Sequence, residues 1–444
     1  MPHVADIQIL GGGPAGLSAA YHAEKLGLDY ALLESSAQLG GNCRTMRLGD
    51  FRFDTGAHRL HDKDPEVTAE IRSLLGADLL EVHAPSEIFS DGRFFAFPLR
   101  PLNLARQLNP AILMRIIAEN LWPKPRGSSA DFAGYATSQY GRTLADRFLL
   151  SYSAKLWGED PSQLSTDVAG GRLKGLDLAS VARDLLFRGR RKARHLDGSF
   201  LYPSLGFGMI AECLAARLEP ERIQFNSKVT GLIHDGGRIV RLEVNGARDI
   251  EGRRFVNTLP ISLSVRLLSP PPPAEVLTAA ESIRYRNLVL CVFCLDRPYF
   301  SPNASIYFPD EAFPFTRLYE PKRRSHHMAP EGQTAIVLEL PCFSGDPIWG
   351  MPAEELRETV FAALKQVGPI SSGEVVDFTT LRLPFAYPVL QTGLDRTVSR
   401  LVDYLGTFRN LHLTGRSSLF RYLHFHDLFR DGRELVAGIA NVDV

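Results

Sequence analysis

Three glycines, Gly11, Gly13 and Gly16, stand between an apolar run (Ile7, Ile9, Leu10) and an alanine-rich stretch. Glu34 closes a second apolar run, Tyr30-Ala31-Leu32-Leu33. This spacing suits the binding of a pyrophosphate. Gly11 allows a tight turn off a strand, Gly13 lets backbone approach the phosphates, and Gly16 lets a helix pack close to a sheet. The helix N-terminus offers unpaired N–H groups and a partial positive charge. A carboxylate about 20 residues on can accept hydrogen bonds from ribose hydroxyls and would repel a 2′-phosphate. A bare glycine-rich turn is often only a turn. The preceding strand, the following helix and the acid at the right distance make this one a dinucleotide site, FAD-like or NAD-like.

Gly40 and Gly41 follow Glu34 closely, which predicts a second approach of backbone to the cofactor, with Arg44 placed to meet a phosphate. A chain that only borrows NAD has less need of this second wrap, so the reading moves to a tightly but non-covalently held FAD. NAD(P)H or another external reductant would then supply electrons. Cys43, close by, reads as a buried thiol rather than a tether. Val229, opening the run Val229 to Ile233, and Gly415, stopping the last apolar strand, join the cofactor-binding set. His58 follows Gly56 where a side chain can lean over a flat cofactor; read alone, it is a hydrogen-bonded loop histidine.

The elements that must carry these residues fit a chain of 444 residues, long enough for two or three domains. Its formal net charge of zero leaves no bulk footprint for nucleic acid. No apolar run reaches the ~20 residues needed to span a bilayer, so any membrane contact would be weak and peripheral. The first strand begins within a few residues of the N-terminus and leaves no room for a signal peptide, which predicts a cytoplasmic protein. Cys291 and Cys294 form a C-x-x-C inside an apolar strand-like run. Residues three apart on a strand point to opposite faces, so they read as buried structural thiols, and no metal site is expected.

The pattern predicts an α/β protein: a Rossmann-like FAD-binding domain with an inserted helical cap and a mixed-sheet substrate domain. The FAD-binding parts are 1–75, 199–270 and 401–444. A mostly helical cap takes 76–198 and includes a short hairpin, Ser86 to Pro98. The substrate domain takes 274–400, after the stiff linker Pro270 to Pro273. Within the cap, the amphipathic stretch Leu178 to Phe187 precedes five cations between Arg188 and Arg194, read as a solvated basic loop.

The first motif with Gly40-Gly41 resembles the glutathione-reductase-type FAD fold of amine oxidases, protoporphyrinogen oxidases and UDP-galactopyranose mutases. Four further pieces are most similar to the mutases: Gly56-Ala57-His58-Arg59-Leu60-His61, Pro314 to Lys322, Tyr387-Pro388-Val389, and Gly415-Arg416 to Tyr422. Their order along the chain also agrees. The resemblance implies that His58 lines the flavin and that Arg317 and Tyr387 act in catalysis. It implies that Arg172, Arg317, Tyr319, Tyr387 and Tyr422 meet an anionic substrate, a nucleotide sugar in the family sense. It also implies a reduced flavin acting as nucleophile at an anomeric carbon, with ring isomerisation. A salt bridge to Glu320 is the bland reading of Arg317. The chain departs from the mutases in carrying His424-Phe425-His426 where they carry Asp-x-Asp, and the paired aromatic uridine clamp is not visible. An oxidase or desaturase of the amine oxidase or protoporphyrinogen oxidase type is the alternative, and a non-catalytic FAD-stabilised binding protein a third. The oligomeric state is not legible.

Overall fold

The computed structural model describes residues 5–121, 129–168 and 199–441. The strand Ile7–Leu10 is buried throughout and pairs in parallel with Tyr30–Leu33 on one side and Arg254–Asn257 on the other. Leu411–Leu413 and Ile223–Gln224 extend this parallel sheet at its two edges. Parallel neighbours need a crossover, and the helix Pro14–Lys25 supplies the first one. Helices cover the sheet, so its central strands read as apolar runs without alternation. Leu10, Leu33, Asn257 and Leu413 all end at the same edge, the edge at which such sheets take ligands.

The C-terminal helix Phe425–Asn441 returns to this unit and lies along Pro14–Lys25. The Ser18 hydroxyl donates to the Phe429 carbonyl at 2.7 Å. A Cβ at Gly432 would stand 2.5 Å from the Ser18 oxygen, so this crossing needs glycine. Beside the parallel sheet, Val229–His234 and Ile239–Val244 form an antiparallel pair around the Asp235-Gly236-Gly237 turn. Arg248–Glu251 and Leu268–Ser269 complete that small sheet.

The substrate-side sheet has seven strands. Its centre is Tyr285–Leu295, eleven buried residues flanked antiparallel by Thr334–Cys342 and Val375–Pro388. Cys291 packs with Val289 and Phe293, whereas Cys294 packs with Phe51 and Ala335 on the other face. Burial pushes both thiols up to about 12, as expected for structural cysteines.

One element sits elsewhere than the sequence placed it. The hairpin Ser86–Ser90 and Arg93–Phe97, assigned to the cap segment, is hydrogen-bonded into the seven-stranded sheet through Ser305–Tyr307. Both of its faces are apolar: Phe89 packs on Phe308 and Phe313, while Ile88 and Phe95 pack on the cap helices. A hairpin with two apolar faces has to be covered on both sides, and a partner more than 200 residues away is invisible to local pattern. The described cap is helical from Pro101–Gln107 through Pro110–Leu121 and Phe132–Tyr140 to Ser151–Trp157. Arg172, the amphipathic stretch 178–187 and the basic run 188–194 lie outside the described residues. Among the described residues, no helix is long and apolar enough to cross a membrane.

Candidate functional site

The carboxyl edge of the parallel sheet opens into two cavities. One, of about 550 Å³, lies beside Gly11, Leu33, Ser35, Val229 and Thr230. The other, of about 860 Å³, starts at Gly13, Pro14, Ala15, Asn42 and Gly415. It runs past Thr55 to His58 and ends among Arg317, Tyr387, Arg416 and Tyr422. The sequence expectations for Gly11, Gly13, Val229 and Gly415 therefore fall on cavity walls.

The backbone around the turn is packed as a phosphate cradle must be. A Cβ on Gly16 would sit 1.9 Å from the Gly11 carbonyl oxygen, and one on Gly41 would sit 3.0 Å from the Gly13 Cα. The two glycine pieces thus touch, and Gly40 holds them together through its N–H to the Gly12 carbonyl at 2.8 Å. Pro14 occupies the first helical turn, and no side chain caps the helix, which leaves its N-terminal N–H groups for a ligand. Arg44 lies against Gly40, and its Nε is buried without a hydrogen-bond partner among the described residues. A buried cationic N–H left unmatched beside such a turn fits a diphosphate.

Glu34 is buried at the end of its strand. Its Oε2 accepts from the Gly12 N–H at 2.8 Å and its Oε1 from the Ser36 N–H at 2.8 Å. A carboxylate has about four lone-pair directions, so ribose hydroxyls can still be accepted. These residues together fit an FAD.

His58 lines the larger cavity, with its Nε2 2.7 Å from the Asn42 carbonyl. A carbonyl only accepts, so Nε2 carries the hydrogen and Nδ1 presents a lone pair. The ring leans on Phe207 at 5.0 Å between centroids. Burial, aided by the Arg317, Arg324 and Arg416 charges and opposed by the Asn42 bond, brings its pKa down to about 3. His58 is therefore neutral at ordinary pH and orients rather than donates as an imidazolium. Because the unfolded value is about 6.5, stability linked to this residue is full above that pH and is lost as pH falls towards about 3.

Arg317 does not pair with Glu320. Those residues are three apart on a strand and face opposite ways. Glu320 instead accepts from the Phe300 and Ser301 N–H groups and the Thr334 hydroxyl. Arg317 sits opposite Glu339 in the antiparallel register and grips it with two bonds, Nε to Oε2 at 2.8 Å and Nη2 to Oε1 at 2.7 Å. Glu339 also accepts from the Ala57 N–H at 2.9 Å, which joins the arginine to the His58 loop. The Nη1 amine stands outside that pair. Burial opposes the arginine's charge, but Glu339 outweighs it and holds the pKa well above the usual range.

Tyr387 and Tyr422 flank Trp157, with ring centroids 5.9 and 5.8 Å away. Arg416 donates to the Leu423 carbonyl and lies 4.7 Å over the Tyr422 ring. Burial, then Glu339, raises Tyr387 to about 12, so it remains a hydroxyl donor. Tyr319 is the exception among the expected substrate residues. It shares a strand face with Arg317 but lies farther along, fully buried, with its hydroxyl donating to the Asp54 carbonyl at 2.5 Å. Its place is structural, outside the cavity. Arg172 lies outside the described residues.

Sequence reasoning missed Glu339, Arg416 and Trp157 as site residues. Glu339 had a signal, since a lone acid inside the apolar run Thr334 to Leu340 needs a buried partner. Tyr152 and Tyr307, which also line the cavity, had none. Among the described residues, no group of histidine, cysteine or acid side chains could hold a metal ion.

A mitochondrial protoporphyrinogen oxidase of Nicotiana tabacum is 21% identical over 253 residues, covering 51% of this chain and 50% of its own. A carotenoid 3,4-desaturase of Haloarcula japonica is 45% identical over 51 residues, 12% of this chain and 10% of its own. The chain spans about half the length of the protoporphyrinogen oxidases it matches, or little more. Among solved structures, reduced UDP-galactopyranose mutase superposes with a TM-score of 0.87 at 20% identity, over 99% of this chain and 96% of that one. A protoporphyrinogen oxidase-like protein of Exiguobacterium gives 0.78 at 19% identity, over 98% of both chains. Putrescine oxidase bound to putrescine gives 0.68 at 16% identity, over 98% and 99%. At such identities these likenesses establish the fold. Residues 14–437 match the family of flavin-containing amine oxidoreductases. The chain belongs to that family, and FAD is its cofactor.

Proposed function

We propose that the protein is an FAD-dependent enzyme that rearranges an anionic, nucleotide-sugar-like substrate without net oxidation, in the manner of a UDP-galactopyranose mutase. The observation that carries this reading is the charge of the cavity. Among the described residues, Arg59, Lys63, Arg317 and Arg416 line it, together with three histidines, and no aspartate or glutamate does. Family likeness adds Arg172. The solved mutase's fold agreement supports the same reading.

When bound and reduced, FAD supplies an electron-rich ring able to attack an anomeric carbon. The chain's own part is to position the sugar and hold the leaving group. Arg317, fixed by Glu339, and Arg416, fixed by Leu423, keep guanidinium N–H groups preorganised for a diphosphate. Tyr387, held in its protonated form, and Tyr422 stand beside them as donors or stacking partners. Phe132, Leu156 and Trp157 wall the same end and exclude water, which strengthens these contacts. His58, neutral and tied to Asn42, sets the floor of the site through shape and one lone pair.

A second reading, an oxidase of the amine oxidase or protoporphyrinogen oxidase type, is favoured by the other arm of the cavity. Phe97, Leu99, Leu144, Phe148 and Leu149 make that arm apolar. Uridine diphosphate separates the two. Titrated into the oxidised holoprotein, it should perturb the flavin absorbance, and Tyr422→Leu should weaken that binding about tenfold, or ~1.4 kcal/mol. Absence of any perturbation at ~1 mM ligand, a binding free energy weaker than about −4 kcal/mol, would remove the anion reading.

A further inference from the structure

The helices Pro101–Gln107 and Pro110–Leu121 turn Leu104, Leu108 and Ile116 inward, onto Phe95, Tyr140, Leu144 and Phe148. Tyr140, Leu144 and Phe148 also wall the larger cavity, so the two helices lie one side-chain layer outside it. Their outer side is not the polar face that a solvated helix pair presents. Leu102, Met114, Ile117 and Leu121 are exposed at 64%, 63%, 42% and 66%. On the second helix, the exposed residues Ala111, Met114, Ala118 and Leu121 recur on one face, with Ile117 beside them. Single exposed leucines need no explanation, but a contiguous stripe does.

The charge of this stretch has one sign. Between Asp91 and Glu119 the chain carries Arg93, Arg100, Arg106 and Arg115 and no acid. Arg115 pairs with Glu119 at 3.2 Å. Arg100 and Arg106 are exposed and form no ion pair among the described residues.

We propose that this face docks the protein peripherally on an anionic lipid bilayer. Leu102, Met114, Ile117 and Leu121 would enter the boundary between headgroups and acyl chains, and Arg100 and Arg106 would meet lipid phosphates. A second copy of the chain fits the face less well. A two-fold contact would set like arginines against each other. The four side chains also expose only on the order of 400 Å², against about 800 Å² per partner in a stable interface. Docking brings the apolar arm of the cavity close to the bilayer, with only the two helices between. The inference does not depend on which reaction the cavity performs.

The test is co-sedimentation of the holoprotein with phosphatidylcholine vesicles, with and without ~30% phosphatidylglycerol. The protein should partition to the phosphatidylglycerol vesicles and not to pure phosphatidylcholine. Met114→Gln with Leu121→Gln should lower that partition about tenfold, and Arg100→Ala with Arg106→Ala several-fold, with FAD content unchanged. Four outcomes would overturn the proposal. One is no binding to phosphatidylglycerol vesicles, and another is binding that the Met114/Leu121 variant leaves intact. A third is a dimer in sedimentation velocity that the same variant makes monomeric, which assigns the face to a second copy. The last is a Met114→Cys thiol that resists labelling without lipid, which shows that another part of the chain already covers it.

Discussion

Arg317→Ala is expected to cost about 3–5 kcal/mol of stability and to abolish turnover, because it strands a buried carboxylate. Glu339 is 2% exposed and Arg317 11%, and two of the carboxylate's bonds come from this one guanidinium. With the arginine gone, among the described residues only the Ala57 N–H still donates to the Glu339 side chain. The loop of Gly56 to His58 is then tied to a carboxylate that the guanidinium no longer fixes in place. Replacing both partners, Arg317→Met with Glu339→Leu, should recover most of the stability, since a buried pair exchanged for apolar residues is often neutral. It should not recover turnover, because the guanidinium proposed to hold the substrate is still missing. Urea unfolding of the holoproteins and turnover assays together check this. An Arg317→Ala protein within about 1 kcal/mol of the parent and fully active would show that the pair neither supports the loop nor meets substrate.

Gly16→Ala should yield a protein without flavin. The added Cβ would lie 1.9 Å from the Gly11 carbonyl oxygen, so the helix and the turn must separate. Overpacking of this kind costs about 1–3 kcal/mol where neighbours can shift. Here the shift falls on the backbone of the glycine turn, the expected cradle for the diphosphate, so the larger effect should be on FAD affinity. Gly438→Ala in the C-terminal helix is the control. Nothing lies within 4 Å of its added Cβ, and alanine should stabilise that helix by about 0.5–1 kcal/mol. The ratio of flavin to protein after purification reads both. Normal flavin content in Gly16→Ala would show that the turn tolerates a Cβ.

The nucleotide-binding unit was legible because each of its signals is local. Gly11, Gly13 and Gly16, the strands around them and Glu34 fall within 28 residues, and each residue type follows from one physical need. The Cys291 and Cys294 reading also held, since strand alternation alone separates their side chains. The return of Leu411–Leu413 to the parallel sheet was legible from an apolar run stopping at Gly415. What escaped depends on register between distant strands. Arg317 finds Glu339 only because the two strands pair in one particular alignment, whereas Glu320, nearer in sequence, faces away. The hairpin Ser86–Ser90 and Arg93–Phe97 joined the other domain's sheet through Ser305–Tyr307 for the same reason. Tyr319 shares a face with Arg317, but its hydroxyl is taken by the end of the strand Phe51–Asp54, and it lies outside the cavity that Arg317 lines. The position of Trp157 between Tyr387 and Tyr422 brings together three separated segments, which no local pattern announces.

Turnover of nucleotide sugars by the anaerobic holoprotein, oxidised and then photoreduced, distinguishes a mutase from an oxidase. A ring-isomerised nucleotide sugar should accumulate only after reduction, over many turnovers, with no electron acceptor consumed. Steady oxygen consumption with an amine, porphyrinogen or polyene, and no conversion of nucleotide sugars by the reduced protein, would contradict the mutase reading.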